Sequence, residues 1–172
     1  MKKILLLTVF ALFLSCATQP SQNIPQSFSA KSNEGMIIGS IAFENEKPIF
    51  NSYTFLYYGP AKKNYISIHP EQTLKMKFKP DFFDSNKAVY LFSISGIPGN
   101  YEFTILKFFE NGGFVTYNLT APINVNFEIE KGKVKYLGEI YVNYNQQIIQ
   151  LNDQKERDLP KINEMFPYLK VE

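Results

Sequence analysis

Residues Asn124 to Tyr144, NVNFEIEKGKVKYLGEIYVNY, decide the fold class. Val125, Phe127 and Ile129 alternate with Asn126, Glu128 and Glu130. After Glu130-Lys131-Gly132-Lys133, Val134, Tyr136, Ile140 and Val142 alternate with Lys133, Lys135 and Glu139. Spacing of two sends apolar side chains to one face of a pleated strand and charges to the other. Gly132 supplies the backbone freedom of a tight reversal. The pattern predicts an antiparallel hairpin whose charged face, with Glu128, Glu130 and Glu139, meets solvent beside Lys133 and Lys135.

Working outward, the same alternation recurs along the chain. Met36 to Phe43 places Ile37, Gly39, Ile41 and Phe43 on one face. Ile49 to Tyr58 is apolar on both faces, as a central covered strand requires. Shorter runs follow at Tyr65 to His69, at Leu74, Met76 and Phe78 between lysines, and at Val89 to Ser95. Pro98-Gly99 predicts a hairpin leading into Tyr101, Phe103, Ile105 and Phe109, and Asn111-Gly112-Gly113 predicts another before Phe114 to Leu119. Eight or nine strands with no long helical pattern between them predict an all-β antiparallel sandwich, transthyretin-like or Ig-like, spanning residues 34–172. Leu159, Ile162, Phe166 and Leu169 fall at helical spacing. A short C-terminal helix near 158–166 is therefore predicted, capped by Asp158, with Pro160 in its first turn and Pro167 ending it.

The amino terminus is of another kind. Met1-Lys2-Lys3 precedes an apolar run from Ile4 to Leu14, too short for the roughly 20 residues of a membrane-spanning helix and suited to a signal peptide over 1–15. Leu12-Phe13-Leu14-Ser15-Cys16 resembles a bacterial lipobox, with Phe13 where that pattern usually has Leu. The resemblance implies a diacylglyceryl thioether on Cys16, the chain's single cysteine, which has no partner for an internal disulfide. Two or more acyl chains anchor stably where one does not. Ala17 after the cysteine resembles an outer-membrane sorting signal. An ordinary secretory signal, cleaved near Ala17 or Gln19, is the alternative. Residues 16–33, rich in Ser, Gln, Asn and Pro, are expected to form a flexible tether.

Gly99-Asn100-Tyr101-Glu102-Phe103 is similar to the strand start of transthyretin-like and carboxypeptidase-regulatory-like sandwiches of exported bacterial proteins. Phe127 to Gly138 is similar to a segment that recurs in uncharacterised bacterial lipoproteins. The resemblance implies a sandwich fold and brings no catalytic residues. A shared fold leaves activity open in any case.

Charge and composition narrow the function classes. Of 18 basic residues two stand in the leader, which leaves 16 against 16 acidic ones and no electrostatic basis for binding nucleic acid. His69 is the only histidine, so neither a His triad nor a multi-histidine metal site can form within one chain. Asp81 and Asp84 are too sparse for a calcium loop. No metal or cofactor is expected. Asn118-Leu119-Thr120 matches a glycosylation triplet of a kind common by chance. Among the aromatics, Tyr57, Tyr58, Phe82 and Phe83 are the candidate binding residues, against core packing as the plainer role of such rings.

These readings lead to an expected envelope lipoprotein, non-enzymatic and held to a membrane, the outer one, by lipidated Cys16. It would scaffold or bind another envelope protein through loops or an edge strand. The alternative is a small-ligand or glycan carrier with an aromatic cleft. A cell-wall hydrolase needs paired carboxylates about 5 to 9.5 Å apart, and the sequence places no such pair.

Overall fold

The computed structural model describes residues 19–44, 49–61, 63–70 and 79–172. The leader, Cys16 and the run with Leu74, Met76 and Phe78 lie outside the described residues. Nine strands are present among them: β1 (Gly35–Glu44), β2 (Ser52–Tyr58), β3 (Lys63–Ile68), β4 (Phe82–Asp84), β5 (Lys87–Gly96), β6 (Gly99–Asn111), β7 (Thr116–Ile129), β8 (Val134–Asn143) and β9 (Ile148–Asn152). A helix, α1 (Lys155–Met165), follows, and a 3-10 turn (Pro20–Asn23) precedes β1. The strands form a five-stranded sheet, β4-β5-β1-β8-β9, packed on a four-stranded sheet, β3-β2-β6-β7. The all-β sandwich expected from the alternation is therefore present. Its pairs are antiparallel except β1 with β8, which run parallel.

Aromatic rings fill the space between the sheets. Phe43 and Tyr53 lie 4.2 Å apart between centroids, and Phe92 meets Phe103 edge-on at 6.1 Å and 89°. Each such pair adds roughly 0.5–1.5 kcal/mol beyond the area it buries. Ile37, Ile41 and Phe43 point into this core as the β1 pattern predicts.

Two predicted hairpins turn out to be crossings between sheets. The Glu130–Lys133 turn joins β7 of one sheet to β8 of the other, so the two strands do not pair. Its polar backbone is satisfied elsewhere: Gly132 N donates to Glu34 O at 2.9 Å, and Met36 N donates to Lys133 O at 2.8 Å. The Pro98-Gly99 turn likewise carries the chain from β5 to β6 across the sandwich. Of the three predicted turns, the Asn111-Gly112-Gly113 turn alone closes a hairpin, β6 with β7, where Gly112 N donates to Val115 O at 2.9 Å.

A bulge corrects the third expectation. β8 slips against β1 between the pairs Ile38↔Tyr136 and Ser40↔Glu139, at Gly138, whose φ is +120°. One extra residue exchanges the two faces of a strand. Val134 and Tyr136 therefore join the outer face, while Ile140 and Val142 face the inter-sheet core. Glu139, expected in solvent, is fully buried on the outer face.

That outer face carries a third layer. Met36, Ile38, Leu91 and Val134 pack against Ile162, Phe166 and Leu169 of the C-terminal segment and Ile24 of the N-terminal one. Residues 19–33 were expected to be a free tether, yet from Gln19 to Phe28 they lie on the sandwich. Ile24 is 4% exposed, Ser21 is buried, and Ser27 bridges Tyr168. Apolar residues spaced among polar ones suffice to dock a segment that composition alone makes look free.

Helix α1 begins three residues earlier than expected. Asp153 Oδ1 accepts the Lys155 amide at 3.0 Å, and Glu156 and Asp158 complement the helix dipole in the first turn. Asp158 is no cap; it is buried against the sheet. Pro160 sits inside the helix and forfeits one backbone bond. The Phe166 amide closes on Ile162 O at 2.7 Å and Pro167 follows, as expected.

Candidate functional site

The four aromatics singled out by sequence do not converge. Tyr57 is core, its ring 5.4 Å from Phe103 and 6.4 Å from Phe127. Tyr58 faces outward with Lys63 Nζ 5.5 Å from its centroid. Phe82 and Phe83 are on β4, at the edge of the other sheet; Phe82 is half-buried beneath Arg157, and Phe83 is 58% exposed. His69 is half-buried, and desolvation pushes its imidazole below its usual range. Glu130 behaves as the charge alternation predicts: Lys133 at 2.8 Å and Lys135 at 2.5 Å hold its carboxyl at about 2.

Two other places on the molecule bring side chains together. The first is a charge cluster under α1. Arg157 Nη1 lies 2.6 Å from Glu139 Oε2 and 3.0 Å from Asp84 Oδ2, and Nε donates to Asp158 Oδ1 at 2.8 Å. Ser40 Oγ and Tyr136 OH both donate to Asp158 Oδ2, at 2.6 and 2.7 Å. Asn152 Nδ2 and Lys87 Nζ, at 3.2 and 3.6 Å, take Glu139 Oε1. Burial opposes the Arg157 charge, but Glu139, Asp158 and Asp84 outweigh it and raise its pKa. Burial, and then the bond to Asp158, raises that of the Tyr136 hydroxyl.

Every carboxylate oxygen of Glu139 and Asp158 is thus engaged by a partner within the fold. These contacts fasten α1 to the outer face of the sheet. Sequence reasoning passed over Arg157, yet a signal was available. It is the single arginine among 18 basic residues, and only a guanidinium presents a planar fork to several carboxylates at once.

The second place is an open cleft. The inner face of β7 reads Tyr117, Leu119, Ala121, Ile123, Val125, Phe127 and Ile129, an unbroken apolar row. Only its later part is covered. Ile123 to Ile129 are buried, whereas Tyr117 is 53% and Leu119 41% exposed. Facing this uncovered end are Val142 and Tyr144 at the end of β8 and Ile148 and Ile149 in β9, and the space between is about 640 Å³. Phe108 forms the floor, with Tyr144 edge-on to it at 5.5 Å and 62°. Asn143, Asn145, Gln147 and Thr120 contribute polar groups.

Both flanks of the cleft are sheet edges, since β7 and β9 are the last strands of their sheets among the described residues. β7 carries Pro122 opposite Ile105, beside a register shift, in keeping with the place of proline on edge strands and at bulges. At the opposite lateral side of the sandwich the 3-10 turn packs on β5 and touches β3. The sequence reading ended one strand at Leu119 and began the next stretch at Asn124, and so missed the β7 row, although the alternation runs through.

Among the described residues no group of three His, Cys, Asp or Glu side chains is placed to hold a metal ion. No helix among them is long and apolar enough to cross a membrane. No family model and no curated protein matches this chain. Among solved structures, a leucine-rich repeat protein from Bacteroides thetaiotaomicron is similar at a TM-score of 0.37 and 8% identity, over 66% of this chain and 14% of its own. A likeness of that size carries no argument about fold or function.

Proposed function

We propose that this chain is a cell-envelope lipoprotein, anchored through acylated Cys16 in the outer membrane, whose sandwich is a non-enzymatic module binding an extended segment of another envelope protein. The single observation that carries the binding mode is the uncovered end of the β7 row beside a strand edge that no other described strand pairs with. A sheet edge offers backbone donors and acceptors at regular spacing, and an adjoining apolar cleft selects the side chains of whatever strand is added. The lipobox-like leader supports the anchor. Engagement of the Glu139 and Asp158 carboxylates within the fold supports a role without catalysis, and the balanced charge supports a partner other than nucleic acid.

A small apolar ligand is the second reading, favoured by the size of the cleft, which falls within the range of small-molecule sites. Photo-crosslinking in intact cells separates the two. A benzoylphenylalanine in place of Leu119 is expected to give one discrete protein adduct. The same group in place of Tyr65, exposed on β3, is expected to give none. Equal adduct patterns at both positions, or none at either, would count against a protein partner at the cleft.

A further inference from the structure

We infer that the sandwich rests against the bilayer on the side opposite the β7–β9 cleft, with the 3-10 turn and β4 toward the lipid and Phe83 seated among the headgroups. The inference rests on acylation of Cys16, proposed above. The Gln19 side chain donates to Asp81 Oδ1 at 2.9 Å, and Asp81 Oδ2 in turn accepts the Leu91 amide at 2.7 Å. Pro20 and Ser21 are buried immediately after it. Gln19 is therefore part of the folded body.

Three consecutive Cα separations of 3.8 Å lie between Cys16 and Gln19, a reach of at most about 11 Å whatever path the chain takes. Acyl chains on Cys16 must lie in hydrocarbon, so Gln19 stays within that distance of the lipid. Two packed sheets are about 10 Å apart before their outer side chains are added. So short a connection cannot let the body turn over and bring its far side to the membrane.

The surface at the point of attachment suits that placement. Phe83 stands two residues from Asp81 along β4, about 7 Å away. Its ring is 58% exposed on an edge strand, a position with no role in either core cluster. Aromatic rings favour the boundary between headgroups and hydrocarbon. Lys79 is exposed two residues before Asp81 and carries a charge that headgroup phosphates attract. Of the neighbouring acids, Asp84 is ion-paired with Arg157, and both oxygens of Asp81 are hydrogen-bonded within the fold, to the Gln19 side chain and the Leu91 amide. The β7–β9 cleft, on the other lateral side, then opens away from the membrane, where a partner can reach it.

The test uses the full acylated chain in phosphatidylcholine–phosphatidylglycerol vesicles. Cys16 is blocked by its thioether, so a cysteine introduced by Phe83→Cys or Leu119→Cys is the one free thiol, and a nitrobenzoxadiazole label on it stands in for the side chain. Lipid-borne nitroxides are expected to quench the label at 83 and to leave the label at 119 at its lipid-free intensity. A flexible Gly-Ser insert of about 15 residues between Thr18 and Gln19 adds a root-mean-square span of about 20 Å, and quenching at 83 is expected to fall. Equal quenching at both positions, or quenching at 83 that ignores the insert, would overturn the orientation while leaving the anchor intact. An intact mass showing unmodified Cys16 would overturn both.

Discussion

Arg157 Nη1 and Glu139 Oε2 are 2.6 Å apart beneath α1, and neither the sheet strand nor the helix that carries them could sit as it does without the other. Glu139 and Asp158 are fully buried, and this guanidinium is the one group that contacts both, beside Lys87 and Asn152 on Glu139 and the Ser40 and Tyr136 hydroxyls on Asp158. Arg157→Ala is expected to cost roughly 3–5 kcal/mol, the price of stranding buried carboxylates. Arg157→Lys keeps the charge but not the fork, and should recover less than half of the loss. Urea denaturation measures both. A loss under about 1 kcal/mol for Arg157→Ala would mean the cluster is solvated in solution.

The bulge that buries Glu139 depends on Gly138. Its φ of +120° is one that side chains rarely adopt, and an added Cβ would stand 2.8 Å from Asn152 O on β9. Gly138→Ala is therefore expected to destabilise by roughly 2–3 kcal/mol from backbone strain and contact together. Thermal melts followed by circular dichroism would show it. An unchanged midpoint would say that the β8–β9 pair relaxes freely.

Residues 19–28 behave in the structure as an outer layer of the fold. Ile24→Asp places a charge among Ile162, Phe166 and Leu169 and is expected to lower stability by about 3 kcal/mol or more. A tether would not respond at all. The comparison is made by denaturation of chains that begin at Thr18, so that no anchor complicates the measurement.

Stability at high pH follows from the core tyrosines. Burial raises the Tyr53 hydroxyl to about 12 and raises Tyr57, Tyr90 and Tyr136 as well. The unfolded chain ionises these groups near 10, so their contribution is complete below that pH. It is lost as pH rises from 10 through the folded values, for Tyr53 through about 12. Each proton withheld by the fold lowers stability by about 1.4 kcal/mol per pH unit. Absorbance at 295 nm should show a fast phase from exposed tyrosines and a delayed phase coincident with unfolding. A single fast titration of all tyrosines would contradict the burial.

What could be read from the sequence follows from what each pattern physically encodes. Alternation reports which residues share a face, and so the strands and the two-layer class were legible. Turn residues report that the chain reverses, not whether the next strand pairs beside the last or crosses to the opposite sheet. The Glu130–Lys133 turn was misread for that reason, because its partners, Glu34 and Met36, are about a hundred residues away. Gly138 gave no sign of acting as a bulge, so Glu139 was placed in solvent. Ile24 and Phe28 were hidden by the polar residues around them. The cleft was written in the β7 row but needed the length of the opposing strands to be seen, since Leu119 differs from Val125 only in what covers it.

Hydrogen–deuterium exchange on the complex of this chain with its crosslinked partner tests the binding account most directly. Backbone amides over residues 116–121 lie on the open part of β7, where an added strand would pair. Binding is expected to slow exchange there and at Ile148 and Ile149 across the cleft, and to leave β3 unchanged. Slowing confined to loops or to the outer face of α1, with residues 116–121 exchanging as in the free protein, would contradict it.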